Sequence, residues 1–147
     1  MRLHFCLQLI FFGFCVVGKM YKSHLDWFPP TSDPNFNWLP KNGGANRFAT
    51  VFLYISDVEE GGQTVFPLLP PSPTQNVTVP WEGENLFAKG TWQNQMIHEC
   101  YERFSVRPKK GDAVLFYSQR GDGEMDDRSL HGGAHSVIAA MVWSGLR

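Results

Sequence analysis

The sequence predicts an all-β domain, a sandwich or barrel of short strands with one minor helix. Three observations carry this reading. Apolar runs are short and rich in aromatic and β-branched residues, as strands require. They are separated by punctuation drawn from 10 Pro and 14 Gly. A single stretch, residues 85–103, has apolar residues at helix-like spacing. The 147 residues suffice for one hydrophobic core and are too few for two domains of ordinary size. With 43% hydrophobic and 18% charged residues, the chain has the balance of a folding domain rather than a disordered one.

Taken in order, residues 1–17 form an apolar N-terminal segment with two readings. Residues 7–17 are apolar apart from Gln8 and follow Arg2, which suits the h-region of a signal peptide or a membrane anchor. Phe11, Phe12, Phe14, Val16 and Val17 equally suit a buried strand. The stretch is too short to cross a bilayer as a conventional helix, which needs about 20 residues. Residues 21–28 form the next strand, closed by Pro29-Pro30, and the Pro-, Asn- and Gly-rich residues 29–46 form a long loop. Residues 48–56 are nearly continuous in apolar or β-branched types, which predicts a strand buried on both faces. Gly61-Gly62 turns the chain into a short strand at 63–66 that Pro67 stops. Residues 67–80 hold too many prolines for a sheet interior and read as a surface excursion. The helix at 85–103 rests on Trp92, Met96 and Tyr101, against the helix-weakening Gly90. Strands at 113–117, after the turn Lys110-Gly111-Asp112, and at 137–143 complete the set. No internal repeat is present.

Composition excludes some functions. A formal charge of -1, with no basic cluster beyond Lys109-Lys110, offers no footprint for nucleic acid. Cys6, Cys15 and Cys100 are odd in number and lack C-x-x-C spacing, so neither a disulfide framework nor a zinc knuckle follows. The sequon Asn76-Val77-Thr78 would accept a glycan only if the chain entered the secretory pathway.

His24-Leu25-Asp26 places an imidazole and a carboxylate on one face of a strand, because side chains at i and i+2 point the same way. Alone, the pair reads more simply as a surface His beside a turn-capping Asp. A second histidine, His131, follows a strand and a polar loop and precedes Gly132-Gly133. Two histidines and one carboxylate leave coordination positions open on Fe(II), enough for a chelating cosubstrate and dioxygen. Zinc would accept the same ligands, so the ligand types do not choose the metal.

Longer strings carry a resemblance. Asn46-Arg47-Phe48-Ala49-Thr50, the run from Tyr54-Ile55-Ser56-Asp57-Val58-Glu59-Glu60-Gly61-Gly62 to Gln63-Thr64-Val65-Phe66-Pro67, Pro108-Lys109-Lys110-Gly111-Asp112-Ala113-Val114-Leu115-Phe116-Tyr117-Ser118, Asp122-Gly123 and Ser129-Leu130-His131-Gly132-Gly133 resemble prolyl 4-hydroxylase catalytic domains of plant, algal and protist type. The resemblance covers residues 18–147, with a Pro-rich and helical insertion at about 68–103. It implies a single-domain double-stranded β-helix, or jelly roll. It implies His24, Asp26 and His131 as Fe(II) ligands, with no catalytic residues beyond them, 2-oxoglutarate as cosubstrate and L-ascorbate as reductant. Thr64 matches a position that binds the far carboxylate of 2-oxoglutarate, and Arg47, Tyr21 and Trp143 match positions lining the peptide groove. The implied reaction hydroxylates peptidyl proline with O2, releasing succinate and CO2. Its substrate would be a proline-rich peptide or protein, and its compartment the endoplasmic reticulum or secretory pathway.

The chain also departs from that pattern. The family lysine that pairs with the C5 carboxylate lies ten residues after the distal histidine; counted without gaps, that position is Met141. If residues 139–143 instead align with the family's last strand, four residues are missing and the lysine goes with them. Breaking such a buried ion pair costs roughly 3–5 kcal/mol. Cys15 stands where the family has a tyrosine that contacts 2-oxoglutarate, and only about twenty residues precede His24 where relatives carry helices, so the chain resembles a truncated or altered form of a longer domain. His135 is the other candidate for the distal ligand, but His131 alone has the Ser-Leu-His-Gly-Gly context; His98 falls in the helix and reads as structural. Three functions of different class follow. One is a working hydroxylase, the second a pseudoenzyme or peptide-binding module that keeps the iron ligands, and the third a cupin-type binding protein, which accommodates the ligands but not the longer strings.

Overall fold

The computed structural model describes residues 10–11, 20–31, 37–58, 60–75, 78–79, 85–134 and 141–146, with residues 10–11, 41 and 141–146 described for their backbone only. Eight strands and one α-helix are assigned among them: β1 (Ile10–Phe11), β2 (Tyr21–His24), β3 (Ala49–Tyr54), β4 (Thr64–Phe66), α1 (Trp92–Glu102), β5 (Phe104–Val106), β6 (Ala113–Tyr117), β7 (His131–Gly133) and β8 (Met141–Leu146). They form two four-stranded sheets, in the order β1-β8-β3-β6 and β2-β7-β4-β5, with every pairing antiparallel.

Successive strands pass mostly from one sheet to the other, so contacts between distant parts of the sequence bind the two layers. Three of these reach from the first sheet to the second sheet or its connecting loop. The Tyr54 hydroxyl meets the Thr64 hydroxyl at 2.8 Å, the Thr50 hydroxyl donates to Asp26, and the Phe66 and Phe116 rings pack edge to face with centroids 5.3 Å apart. A second cluster joins Val65, Met96, Cys100 and Ala134, where α1 lies against the second sheet. Burial pushes the Cys100 thiol up to about 12, so it stays protonated and serves as an apolar filler.

Several strands depart from the sequence expectation. The strand expected over residues 21–28 ends at His24, with a register irregularity between Tyr21 and His24, and the chain then bends through Asp26. β3 is not buried on both faces: Leu53 is 40% exposed although Thr50 and Tyr54 are fully enclosed. Its row partners on β6, Ala113 and Leu115, are exposed as well, so this sheet face lies open among the described residues. The helix begins at Trp92, beyond Gly90, with the Thr91 side chain accepting from the Asn94 N–H. β5 and β7 were not expected. Phe-Ser-Val at 104–106 follows the helix too closely to read as a separate strand, and the two glycines of β7 carry no strand propensity. β7 is a strand because β2 and β4 both pair with it.

Of the N-terminal segment, Ile10–Phe11 is a strand whose partners are Ser144 and Trp143 of β8. Residues 12–19, which include Cys15, lie outside the described residues, as do Asn76, Val77 and His135. No helix among the described residues is long and apolar enough to cross a membrane.

The Pro-rich excursion runs over the surface but is tied down. Leu69 N–H donates to the Phe66 carbonyl and Phe104 N–H to the Leu69 carbonyl. The Gln75 amide donates to the carbonyls of Cys100, Tyr101 and Arg103 and accepts from Ser105 N–H. One side chain thereby satisfies carbonyls that the end of α1 leaves without helical partners.

Candidate metal centre

Three side chains that can ligate a metal converge at one end of the second sheet. His24 closes β2 and is the register partner of His131, which opens β7. Asp26 follows two residues after His24. The ligand-capable atoms of His24, Asp26 and His131 lie within 4.8 Å of one another. His24 Nε2 is 3.5 Å from Asp26 Oδ1, and His131 Nε2 is 3.8 Å from Asp26 Oδ2. These separations are long for hydrogen bonds, and the imidazole centroids are 4.5 Å apart.

The backbone orients both rings. His24 Nδ1 is 3.0 Å from the Lys22 carbonyl, and His131 Nδ1 is 2.9 Å from the Ser129 carbonyl. A carbonyl only accepts, so each Nδ1 carries a proton, and in the neutral ring Nε2 is the free lone pair, facing Asp26. This is the outer-partner arrangement that fixes a metal-binding tautomer. His131 is buried, and burial holds its pKa below the ordinary histidine value despite the opposing charge of Asp26. The neutral, ligating form is therefore favoured.

Asp26 is buried, and burial alone would raise its pKa. The close approach of His24, the hydrogen bond from Thr50 and the positive charge that the two imidazoles carry when protonated outweigh that and hold the carboxyl below the usual range. Thr50 Oγ1 donates to Asp26 Oδ2 at 2.6 Å. Arg47 Nη1 donates to the Asp26 backbone carbonyl at 3.1 Å and lies 3.6 Å from Oδ1.

The following loop is locked to this cluster by Asn46. Its amide nitrogen donates to the carbonyls of Phe28 and Trp38 at 2.9 and 2.8 Å, and its oxygen accepts from the N–H groups of Phe28 and Arg47. Phe28 and Trp38 pack with centroids 4.9 Å apart, and the Arg47 guanidinium lies 5.1 Å from the Phe28 ring centroid.

Gly132 shows why the histidine is followed by glycine. A Cβ there would fall 2.7 Å from Met96 Cε, 2.9 Å from Ser23 Oγ and 3.0 Å from the Tyr21 carbonyl. β7 is squeezed between β2 and α1, and a side chain would push His131 away from His24.

Of the other residues singled out in the sequence, Thr64 is buried and bonded to Tyr54. It pairs with Gly133, two residues along β7 from His131, and so stands about 7 Å from the histidine row on the same inner face. Tyr21 is exposed, and its ring packs edge to face with His24, the centroids 4.6 Å apart. Trp143 is known by its backbone alone, which pairs with Phe52 and Phe11. His98 Nδ1 lies 3.6 Å from Glu102 Oε1 one turn along α1, and His98 does not join the centre. Sequence reading passed over Thr50, Tyr54 and Asn46. Thr50 and Tyr54 are hydroxyl-bearing residues four apart in an apolar strand, hence on one face, and that spacing was the available signal.

Comparison with known proteins agrees with this geometry. Residues 10–143 match the family model described as 2OG-Fe(II) oxygenase superfamily. Among curated proteins of Arabidopsis thaliana, probable prolyl 4-hydroxylase 3 is 41% identical over 131 residues, 88% of this chain and 38% of the relative. Prolyl 4-hydroxylase 5 is 40% identical over 133 residues, 89% of this chain and 38% of the relative. The chain thus spans well under half the length of these relatives. Among solved structures, the viral collagen prolyl hydroxylase vCPH from Paramecium Bursaria Chlorella virus-1, in its 2OG complex, superimposes with a TM-score of 0.51 at 17% identity, covering 88% of this chain and 51% of that one. That likeness extends the agreement to the fold. With nearly its whole length matched and the two histidines and carboxylate assembled, the chain belongs to the 2OG-Fe(II) oxygenase superfamily.

Proposed function

We propose that the chain is the catalytic unit of a prolyl 4-hydroxylase-type dioxygenase, a jelly roll that uses Fe(II), O2 and 2-oxoglutarate to hydroxylate peptidyl proline. The observation that carries this reading is the convergence of His24, Asp26 and His131, with both Nδ1 atoms tied to carbonyls and both Nε2 atoms aimed at Asp26. Three such ligands leave open positions on iron. The strand orders β1-β8-β3-β6 and β2-β7-β4-β5 support the jelly-roll reading.

Bound iron would supply activation of dioxygen, coupled to decarboxylation of 2-oxoglutarate to succinate and CO2, with L-ascorbate keeping the metal reduced. The chain's own residues hold and orient. His24, Asp26 and His131 would be the ligands. Thr64, about 7 Å along the sheet and bonded to Tyr54, would receive the far carboxylate of a short dicarboxylate. Tyr21 and Arg47, at the rim of the centre, and Trp143 would contact a proline-rich peptide or protein. The similarity to named prolyl hydroxylases directs the choice of substrate.

One observation favours a second reading, an impaired enzyme or peptide-binding module. Tyr54 is the register partner of Met141, so the residue ten positions after His131 stands beside the Tyr54–Thr64 pair, where the family lysine would be counted. Neutral hydroxyls give a carboxylate weaker bonds than an ammonium does.

The two readings separate in one experiment: titrate 2-oxoglutarate into the Fe(II)-loaded protein without oxygen, then admit oxygen, ascorbate and a poly-proline peptide. The enzyme reading expects succinate and hydroxyproline in equal amounts, with weak cosubstrate binding. Iron binding with no detectable 2-oxoglutarate binding and no succinate would leave only the second reading.

A further inference from the structure

We propose that Thr50 is a positioning residue for the metal centre: its hydroxyl fixes the rotation of the Asp26 carboxylate between the two imidazoles. The inference rests on the metal-binding reading above and concerns a residue outside the three ligands.

The two histidines are held by strands. His24 ends β2, His131 begins β7, and their backbones pair. Asp26 has no such support, because it lies in the bend after β2 and belongs to no strand. Hydrogen bonds to its carboxylate, rather than strand pairing of its own backbone, therefore set its orientation. Thr50 provides the shortest of those identified, 2.6 Å to Oδ2, in the range of a hydroxyl bonded to an ionised carboxylate. Arg47 lies farther away, at 3.6 Å from Oδ1.

Thr50 is fully enclosed, with 0% exposure, on β3 of the first sheet, and its hydroxyl reaches Asp26 across the gap between the layers. A hydroxyl so buried costs stability unless bonded, and Asp26 Oδ2 is its acceptor. The bond also spans from the first sheet to the loop leaving the second. It thus ties the carboxylate to the separation of the layers, which Tyr54–Thr64 and Phe66–Phe116 set independently. Without the hydroxyl, Asp26 would keep its place in the chain but lose the 2.6 Å bond that restrains Oδ2. The consequence is weaker metal binding in a protein whose ligands are all present.

The test uses Mn(II) alone as the probe, titrated into the full chain and read as loss of the free-ion paramagnetic resonance signal. Thr50→Val removes the hydroxyl at constant shape; Thr50→Ser retains it and Thr50→Ala does not. If Val fails to fold, the Ser and Ala pair isolates the same hydroxyl. Removing an outer partner of a metal ligand typically weakens affinity roughly 10–100-fold. We expect that loss in Val and Ala, with Ser within about threefold of the unaltered chain on the same scale. The rise in Tm on adding saturating Mn(II) should shrink in Val and Ala and persist in Ser, a difference that general loosening of the core would not produce. Unaltered affinity in Val or Ala overturns the proposal, and so does a Ser variant as weak as Ala. Failure of the unaltered chain to bind Mn(II) would instead refute the metal-binding reading itself.

Discussion

Two neighbouring regions of the space between the sheets are equipped differently. Around β2 and β7, polar atoms are arranged for a cation: a carboxylate of lowered pKa, two imidazoles with oriented tautomers, and a glycine that lets the strands close. Two residues farther along β7, around Tyr54 and Thr64, the described side chains offer two hydroxyls that bond to each other. The first region holds concentrated negative and ligating character that only a metal would fully use. The second is self-satisfied and neutral. The metal-ligating cluster is therefore assembled beside a hydroxyl pair, and the two can be tested separately.

The largest expected effect lies in the first region. His131→Ala should reduce Mn(II) or Fe(II) affinity by more than about a hundredfold, beyond what losing an outer partner costs, while His135→Ala should leave it nearly unchanged. Direct metal titration of both variants checks this. Equal losses would mean that the pairing of His24 with His131 is not what defines the centre.

Much of that first region was legible in the sequence. The i, i+2 spacing of His24 and Asp26 and the glycines after His131 are local signals, and β6 was read with its observed bounds because its apolar run is uninterrupted. What escaped is non-local. β7 owes its strand character to neighbours on both sides, and β5 is three residues long. The roles of Thr50 and Tyr54 are hidden in a run whose pattern shows a strand and a family resemblance, because their partners Asp26 and Thr64 come from elsewhere in the chain. The open outer face of β3 escaped for a similar reason, since a continuous apolar run signals a strand without saying what covers it.

A smaller effect is expected on supplying charge to the second region. Met141→Lys would place an ammonium at the register position beside Tyr54. A hydrogen bond to a charged group contributes roughly 1.5–3 kcal/mol, so 2-oxoglutarate should bind roughly tenfold to a hundredfold more tightly. Calorimetry on the Fe(II)-loaded variant under nitrogen measures it. Unchanged 2-oxoglutarate affinity would mean that the gapless count from His131 does not locate the anchor, and that the difference between the regions does not lie in the missing cation.

The smallest effect concerns whether the Tyr54–Thr64 pair is a structural tie as well as a receptor. Tyr54→Phe deletes one partner and leaves the buried Thr64 hydroxyl without its bond, which should cost roughly 1–3 kcal/mol in urea unfolding. Adding Thr64→Val removes the orphan as well, so the double variant should be more stable than the two single losses predict by addition. The pH dependence gives an independent check. Burial raises the Tyr54 pKa above its ordinary value near 10 despite the opposing bond from Thr64. Above that pH the unfolded chain releases the Tyr54 proton while the folded chain retains it. The folded state then binds more protons, so its stability falls as pH rises. Tyr54→Phe lacks this titration, and its deficit relative to the unaltered chain should narrow above about pH 10. A deficit that stays constant through that range, with additive single losses, would show that the two hydroxyls are not coupled and that this region is looser than the metal centre beside it.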